Sequence, residues 1–297
     1  MKTLHVVIGP TAAGKTAYAV RLALQLHTEI LSCDSRQFYR ELRIGVARPE
    51  PDELAAVPHH FIACRSIMQP YNVYDFEQDA LLLLDRLFQR VDHVVAVGGS
   101  GLYIDALCHG VSPMPSPSPS LRSGLQLRFR TEGVEAMYRW LSRLDPDYAA
   151  RVDARNPVRI QRALEVCLTA GRPYSRILAE RQPAPRPFAL CCHAVDCDSV
   201  TLRRRIDDRV DRMMRDGLAQ EARSLEPLWR ERHPQPLNTV GYKEFYTPLP
   251  DSSNPSAPHS IASWIKLNTW HYARKQRTWF RKYVQQTETT QCRVPDA

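Results

Sequence analysis

One short stretch near the start of the chain constrains its fold more than any other. It reads Gly9-Pro10-Thr11-Ala12-Ala13-Gly14-Lys15-Thr16 and fits the pattern G-x-x-x-x-G-K-[ST]. The apolar run Leu4-His5-Val6-Val7-Ile8 precedes it, and apolar residues recur at helical spacing over residues 17–26. A strand, a loop and a helix in this order are the context in which the pattern forms a phosphate-binding loop. The sequence therefore predicts a site for a phosphate or a diphosphate.

Each residue type in this loop has a physical role beside an anion. The glycines allow a tight turn and a close approach of the backbone, and the N–H groups at the helix N-terminus point at negative charge. Lys15 supplies a positive charge, and the hydroxyl of Thr16 can hold Mg²⁺. We therefore take Thr16 as the candidate metal ligand and Mg²⁺ as the expected cofactor. The pattern does not decide whether the bound phosphate is attacked or leaves.

Further apolar runs indicate a parallel sheet. Residues 29–33, 57–62, 93–97 and 188–195 resemble strands, and residues 74–91 form an amphipathic helical pattern. This order predicts an α/β fold of the P-loop NTPase type, with helices on both faces of the sheet. Asp34 and Gly98-Gly99-Ser100-Gly101 each follow a strand, at the edge where such folds place their chemistry. A turn or helix cap is the alternative role for Asp34.

Two proline clusters divide the chain. Prolines alternate with serines over residues 112–119, and Pro183, Pro185 and Pro187 form the second cluster. The segment between them has a helical pattern rich in arginine. We expect a catalytic core of residues 1–114 and 186–297 and an inserted all-helical subdomain of residues 115–185 that moves over the active edge.

The charge favours an anionic partner. Lys and Arg number 40 against 32 Asp and Glu, a net charge of +8. In the last helical segment, residues 260–284, basic and aromatic side chains alternate; a solvated basic face and contact with nucleic acid explain this equally well.

Other features of the composition predict a cytoplasmic protein without a membrane partner. No apolar run approaches the roughly 20 residues of a membrane span, and the first residues do not resemble a signal peptide. None of the eight cysteines forms C-x-x-C, so we expect reduced, mostly buried thiols rather than disulfides or metal ligands.

Taken together, these stretches resemble the bacterial tRNA dimethylallyltransferases, also called tRNA isopentenyltransferases. The matching segments follow the family's order along nearly the whole chain: residues 9–16, 34–39, 44–49, 57–60, 98–103, 159–165, 241–242 and 274–279. The resemblance implies transfer of a dimethylallyl group from dimethylallyl diphosphate to the exocyclic amine of the adenosine 3′ of a tRNA anticodon, with release of diphosphate. The implied partners are the tRNA anticodon stem-loop and the prenyl donor, and we expect a monomer.

Under this resemblance the catalytic residues are Asp34, Thr16, Lys15 and Arg205. The diphosphate is the leaving group, so Lys15, Thr16 with Mg²⁺, and Arg205 stabilise its growing charge. The adenine amine is a weak nucleophile, and Asp34 accepts its proton. Ser199 stands where the family has an arginine, which leaves the anionic site less charged or completed by Arg203 or Arg204.

The resemblance also implies contacts with tRNA. An extruded adenine meets the first residues after strand 29–33, and arginines and aromatic residues contact the loop. The expected tRNA contacts are Asp34, Ser35, Arg36, Gln37, Ser100, Arg122, Pro157, Val158, Arg159, Ile160, Gln161, Arg274, Lys275, Gln276, Arg277, Thr278, Trp279, Phe280 and Arg281.

Three other functions are compatible with the phosphate loop alone. A small-molecule or nucleotide kinase uses the same loop to bind ATP, but it explains neither the basic aromatic segment nor the insertion. An enzyme that prenylates free adenine nucleotides does not need the basic segment. An RNA-binding switch protein only senses or hydrolyses its nucleotide.

Overall fold

A computed structural model describes residues 1–112, 114–180, 185–249 and 258–287 of the chain, with side chains as far as Val284. The chain forms two compact units, Met1–Gly110 with Pro185–Ala297, and Val111–Ala184. Pro113 and Pro183 of the two proline clusters lie outside the described residues.

The first unit contains a parallel sheet of five strands in the order β3-β2-β4-β1-β5. Its strands are β1 (Thr3–Ile8), β2 (Ile30–Ser32), β3 (His59–His60), β4 (His93–Val97) and β5 (Ala189–Ala194). β1 lies between β4 and β5, with Leu4 opposite Val94 on one side and Leu190 on the other. The phosphate loop and the segment Gly98–Ser100 therefore leave neighbouring strands at the same edge of the sheet.

Helices account for most of the remaining structure. They are α1 (Lys15–Gln25), α2 (Pro51–Ala56), α3 (Val73–Phe88), α4 (Gly101–His109), α5 (Pro119–Leu144), α6 (Pro146–Ala149), α7 (Pro157–Ala170), α8 (Tyr174–Ala179), α9 (Ser199–Arg215), α10 (Leu218–Arg232), α11 (Lys243–Tyr246) and α12 (Ile261–Thr287). The helices α5 to α8 form the second unit, and the others belong to the first. None of the helices in the described residues is long and apolar enough to span a membrane.

The three central strands, β2, β4 and β1, are buried on both faces of the sheet, as expected for parallel strands. On one face Val7 and Val95 pack with Leu22 of α1. The opposite face belongs to the larger apolar cluster, which includes Leu4 of β1 and Phe76 of α3. Residues of α4 and α12 join the same cluster. The predicted α/β fold with helices on both faces is confirmed.

The second unit has a core of its own. Met137 and Leu141 of α5 pack with Ile160 and Leu164 of α7, and all four are fully buried. The buried carboxylate of Asp145 accepts hydrogen bonds from the backbone N–H of Tyr148 and from the N–H and hydroxyl of Ser175. This unit is all-helical, as the sequence predicts.

The cysteines of the first unit only partly follow the expectation. Cys33 and Cys108 are free and buried. Cys191 of β5, in contrast, is disulfide-bonded, which the spacing of the cysteines does not predict.

Candidate active site

The phosphate loop has a backbone that only glycine tolerates at two positions. Gly9 has φ 146°, and a Cβ there would lie 1.9 Å from the carbonyl oxygen of Val195. Gly14 has φ 99° and immediately precedes α1. The loop therefore turns tightly between β1 and α1 and presents the N-terminus of α1, where a bound anion is favoured.

Lys15 begins α1 in a buried environment. Its Nζ donates a hydrogen bond to the carbonyl oxygen of Pro10, at 2.7 Å. Burial and, to a lesser extent, the nearby Arg209 lower the pKa of Lys15 to about 7, while Asp34 and Asp196 oppose the shift. A bound polyanion would favour the ammonium form of this side chain.

Two arginines of α9 reach the phosphate loop. Arg209 donates from Nη1 to the hydroxyl of Thr11, at 3.1 Å, and Arg205 donates from Nη1 to the carbonyl oxygen of Ala13, at 3.1 Å. Arg205 is exposed and Arg209 is partly buried. Arg209 also lines the cavity described below, whereas Arg205 does not. Sequence reasoning selected Arg205 and missed Arg209.

A cavity of about 650 Å³ adjoins the loop. Lys15 and Thr16 line it together with Asp34, from the turn after β2. Its apolar lining includes Ile44 and Ile62. The cavity thus combines a phosphate loop, a carboxylate and an apolar wall.

Asp34 also caps the turn after β2, the other role that the sequence allows for it. Its Oδ1 accepts a hydrogen bond from the backbone N–H of Arg36, at 2.9 Å. The hydroxyl of Ser100 accepts from the N–H of Ser35, at 3.0 Å. These bonds fix the turn after β2 against the segment after β4, so the carboxylate is held at the cavity wall.

The side chains of Arg36 and Gln37, in the same turn, form hydrogen bonds with other parts of the first unit. Gln37 donates to the carbonyl oxygen of Ala47, at 2.9 Å, and accepts from the hydroxyl of Ser32, at 3.1 Å. Arg36 donates to Oε1 of Gln235, at 3.1 Å. Of these two residues, Gln37 is the one that lines the cavity.

The side chains of α12 that were expected to contact tRNA divide into two groups. The exposed members are Arg274, Lys275, Thr278, Trp279 and Arg281. Gln276 and Phe280 are buried, at 5% and 3% exposure, so their side chains offer no surface to RNA. This corrects the sequence prediction for both residues: helical periodicity turns them towards the core.

Arg277 is engaged within the protein. It pairs with Asp196, at 2.9 Å, and donates to the carbonyl oxygen of Cys197 and to the hydroxyl of Ser199, the latter at 2.9 Å. Ser199, where the resemblance led us to expect an arginine, accepts a hydrogen bond from Arg277.

In the second unit, the expected tRNA contacts surround the start of α7. Val158 and Arg159 are exposed, and Pro157 occupies the first turn of the helix. Ile160 is fully buried in the core of the unit, so its predicted contact is wrong as a side-chain contact. Arg122 and Gln161 both approach the buried carboxylate of Glu165, at 3.5 and 3.0 Å.

Sequence reasoning also missed Tyr272 of α12. Its hydroxyl donates to the carbonyl oxygen of Gly99, at 3.4 Å. Burial and the nearby carboxylate of Asp34 raise the pKa of Tyr272 to about 12, so the phenol stays protonated. The alternation of aromatic and basic residues placed this residue on α12 but did not indicate that it faces the segment after β4.

The fold and the site define an α/β protein with a phosphate loop, in which the loop shares one cavity with a carboxylate. A family model described as IPP transferase matches residues 37–283. The chain is 42% identical over 276 residues to a tRNA dimethylallyltransferase of Christiangramia forsetii, covering 93% of this chain and 89% of the relative. The chain belongs to the IPP transferase family.

Solved structures agree with this assignment. A tRNA isopentenylpyrophosphate transferase from Bacillus halodurans is 33% identical and has a TM-score of 0.64, over 95% of this chain and 87% of that one. A eukaryotic dimethylallyltransferase acting on tRNA has a TM-score of 0.78 over 97% of this chain and 72% of that one. At 22% identity, that second likeness shows the shared fold alone.

Proposed function

We propose that this protein transfers the dimethylallyl group of dimethylallyl diphosphate to the exocyclic amine of the adenosine 3′ of a tRNA anticodon. The observation that carries the proposal is the cavity in which Lys15 and Arg209, beside the phosphate loop, lie together with Asp34. The relative from Christiangramia forsetii is named tRNA dimethylallyltransferase, which supports the transfer of this group to tRNA. The first unit of a single chain supplies all of these residues, which supports a monomer as the active form. We place the reaction in the cytoplasm as part of the same proposal.

In this reaction the bond between the allylic carbon and the diphosphate oxygen breaks, and its electron pair goes to the diphosphate. The negative charge that grows on the departing oxygens is stabilised by Lys15, by Arg209 and by the N-terminus of α1. Arg209 replaces Arg205 as the principal arginine, because Arg209 lines the cavity and Arg205 does not. Arg205 supports the loop through the carbonyl of Ala13.

The nucleophile is the exocyclic nitrogen of an adenine extruded from its stack. As the new N–C bond forms, the amine proton moves to the carboxylate of Asp34, which lines the same cavity as Lys15 and Thr16. Gln37 lines the same cavity and supplies amide groups for the edge of the base. The apolar lining that includes Ile44 and Ile62 surrounds the prenyl carbons and limits the access of water.

The residues present fit a bound Mg²⁺. The hydroxyl of Thr16, at the start of α1, is a hard oxygen ligand that lines the cavity beside the loop. When bound with the diphosphate, the ion supplies positive charge to the leaving group. Thr16 is the residue of this chain that would hold it.

Recognition of the tRNA falls to exposed basic and aromatic side chains. On α12 these are Arg274, Lys275, Trp279 and Arg281. In the second unit they include Arg122 and Arg159, which are also exposed. The anticodon loop is single-stranded, and stacking and phosphate contacts suit its recognition.

A transfer assay tests the proposal. The protein is incubated with an unmodified anticodon stem-loop RNA and with dimethylallyl diphosphate labelled either in the prenyl carbons or in the phosphate. The proposal predicts that the prenyl label enters the RNA and that the phosphate label is released as diphosphate. No entry of the prenyl label, together with transfer of the γ-phosphate of ATP to a small acceptor in a parallel incubation, would favour the kinase alternative. Equal prenylation of free AMP would favour an enzyme acting on nucleotides.

A further inference from the structure

One buried side chain joins the phosphate loop to the helix that carries the exposed basic residues. The Oε1 of Gln276 accepts a hydrogen bond from the backbone N–H of Thr11, at 2.8 Å, and its Nε2 donates to the carbonyl oxygen of Gly99, at 2.8 Å. One amide thus connects the loop after β1 and the segment after β4 to α12. Gln276 is only 5% exposed. Loss of its amide would remove the side-chain partner of the N–H of Thr11, whereas the carbonyl of Gly99 would keep its bond from the hydroxyl of Tyr272.

The packing around this amide leaves little room for independent movement. A Cβ on Gly99 would lie 2.3 Å from Nε2 of Gln276 and 3.7 Å from Nζ of Lys15. A Cβ on Gly101 would lie 2.4 Å from Cδ1 of Trp279. The segment after β4 therefore packs closely against α12 at two positions, Gly99 and Gly101, and Gly99 also adjoins Lys15.

The opposite side of α12 at this level is exposed and basic. Arg274, Lys275 and Thr278 flank Gln276 in sequence and face solvent. A helix is stiff over one turn, so a displacement or an ordering of α12 by a ligand on this side also acts on Gln276. Gln276 accepts a hydrogen bond from the backbone N–H of Thr11, and Arg209 donates one to the hydroxyl of the same residue. Thr11 is therefore held both from α12 and from α9.

We infer that Gln276 is a positioning residue that couples binding of RNA on α12 to binding of diphosphate in the phosphate loop. Gln276 does not contact either ligand itself and acts through Thr11 and Gly99. Coupling of this kind is reciprocal, so each ligand strengthens binding of the other by the same factor. This inference rests on the proposed function, because it takes α12 as an RNA-binding surface.

The test measures the coupling factor directly. Affinity for dimethylallyl diphosphate is determined with and without a saturating anticodon stem-loop RNA, in which inosine replaces the acceptor adenosine and prevents transfer. We expect the RNA to tighten donor binding about fivefold or more in the unchanged protein. In Gln276→Met, which keeps the length of the side chain and removes the amide, we expect less than about twofold tightening. Gln220→Met, an exposed glutamine of α10, is the matched control and retains the full factor.

The outcomes separate the inference from the proposed function. Failure of the unchanged protein to prenylate the normal RNA contradicts the function, whatever the coupling. Normal prenylation with the full coupling factor in Gln276→Met, or with no coupling in the unchanged protein, overturns the inference. If Gln276→Met does not fold, Gln276→Glu replaces it: this isosteric change keeps the acceptor for Thr11, opposes the carbonyl of Gly99 with a second acceptor, and is expected to lower the coupling factor. An undiminished factor there overturns the inference equally.

Discussion

At the scale of single residues, the account depends on two side chains that share the cavity, Lys15 and Asp34. Lys15 is held beside the loop by the carbonyl of Pro10, and Asp34 is held at the cavity wall by the N–H of Arg36. Both are therefore in fixed positions before any ligand binds. Preorganised charge of this kind is what stabilises a transition state most efficiently.

Removing the carboxylate of Asp34 is expected to slow the chemical step. Because the proton of the amine then has no acceptor, Asp34→Ala should lower the single-turnover rate by about 10²- to 10⁴-fold while RNA affinity stays within about twofold. Single-turnover prenyl transfer and an RNA-binding titration measure the two effects. Asp85→Ala, at an exposed position of α3, is the control. A near-normal rate in Asp34→Ala would remove this residue from the mechanism.

Lys15 is expected to make diphosphate binding proton-linked. Its pKa of about 7 leaves much of the side chain neutral at pH 8, whereas bound diphosphate favours the charged form. Binding at pH 8 should therefore take up about one proton at this side chain, and affinity should weaken as the pH rises above 7. Calorimetry of inorganic diphosphate binding in buffers of different ionisation enthalpy measures the uptake. Lys15→Arg, whose guanidinium stays charged, should lose it; equal uptake in both proteins would contradict the assignment.

At the scale of secondary-structure elements, α12 has two faces with different tasks. One face holds the loops at the edge of the sheet through Gln276, and the other presents basic side chains to solvent. Arg277 has a third role, because its guanidinium pairs with Asp196 and donates a hydrogen bond to Ser199 at the start of α9. Charged residues of one helix therefore differ in what they can contribute to RNA binding.

This division predicts unequal effects on the salt dependence of RNA binding. Arg274→Ala and Lys275→Ala should each reduce the slope of log affinity against log salt by about one, because each removes one phosphate contact. Arg277→Ala should change the slope less, since its guanidinium already pairs with Asp196. Arg215→Ala, at the exposed end of α9, is the control. Binding titrations at several salt concentrations measure the slopes. An unchanged slope in the first two variants would leave them as solvated charge.

Three strands are linked by a chain of histidines, which predicts a pH dependence of stability. Nδ1 of His5 lies 3.0 Å from Nε2 of His193, and Nε2 of His5 lies 3.1 Å from Nδ1 of His93. Tyr18 of α1 extends the chain, with its hydroxyl 2.9 Å from Nδ1 of His193. Burial, together with the neighbouring His193 and His93, lowers the pKa of His5 to about 4.

The sign of this effect follows from the numbers of bound protons. Between pH 6.5, the ordinary pKa of histidine, and about 4, the folded protein binds fewer protons at His5 than the unfolded chain does. Above pH 6.5 the contribution of His5 to the free energy of unfolding should therefore be fully present. This contribution should be lost progressively as the pH falls from 6.5 towards 4. Urea unfolding over this range should show a shallower pH slope in His5→Gln than in the unchanged protein. The exposed His271→Gln serves as the control, and equal slopes in all three proteins would refute the prediction.

At the scale of the whole molecule, the sequence predicts what is encoded locally and misses what depends on packing. The phosphate loop and the strands flanking it follow from short motifs and apolar runs, and the structure has them as predicted. The place of β1 between β4 and β5 joins segments far apart in the chain, and no local pattern specifies it. The roles of Gln276 and Tyr272 depend on that same placement of α12 against the sheet edge.

The choice between Arg205 and Arg209 shows the same limit within the site. The two residues are four positions apart on α9, so they share one face of the helix. Both reach the phosphate loop, and only the three-dimensional structure shows that Arg209 lines the cavity. Sequence spacing alone does not show which of the two arginines lines the cavity.

The central claim is that the phosphate loop holds a diphosphate that departs while an adenine amine is alkylated. Mass analysis of the nucleosides of an anticodon stem-loop RNA, after incubation with the protein, Mg²⁺ and dimethylallyl diphosphate, tests it most directly. We expect one dimethylallyl group on the exocyclic amine of the adenosine 3′ of the anticodon, and none when that position is inosine. Unmodified adenosine at that position after complete turnover of the donor, or prenylation elsewhere in the loop, would contradict it.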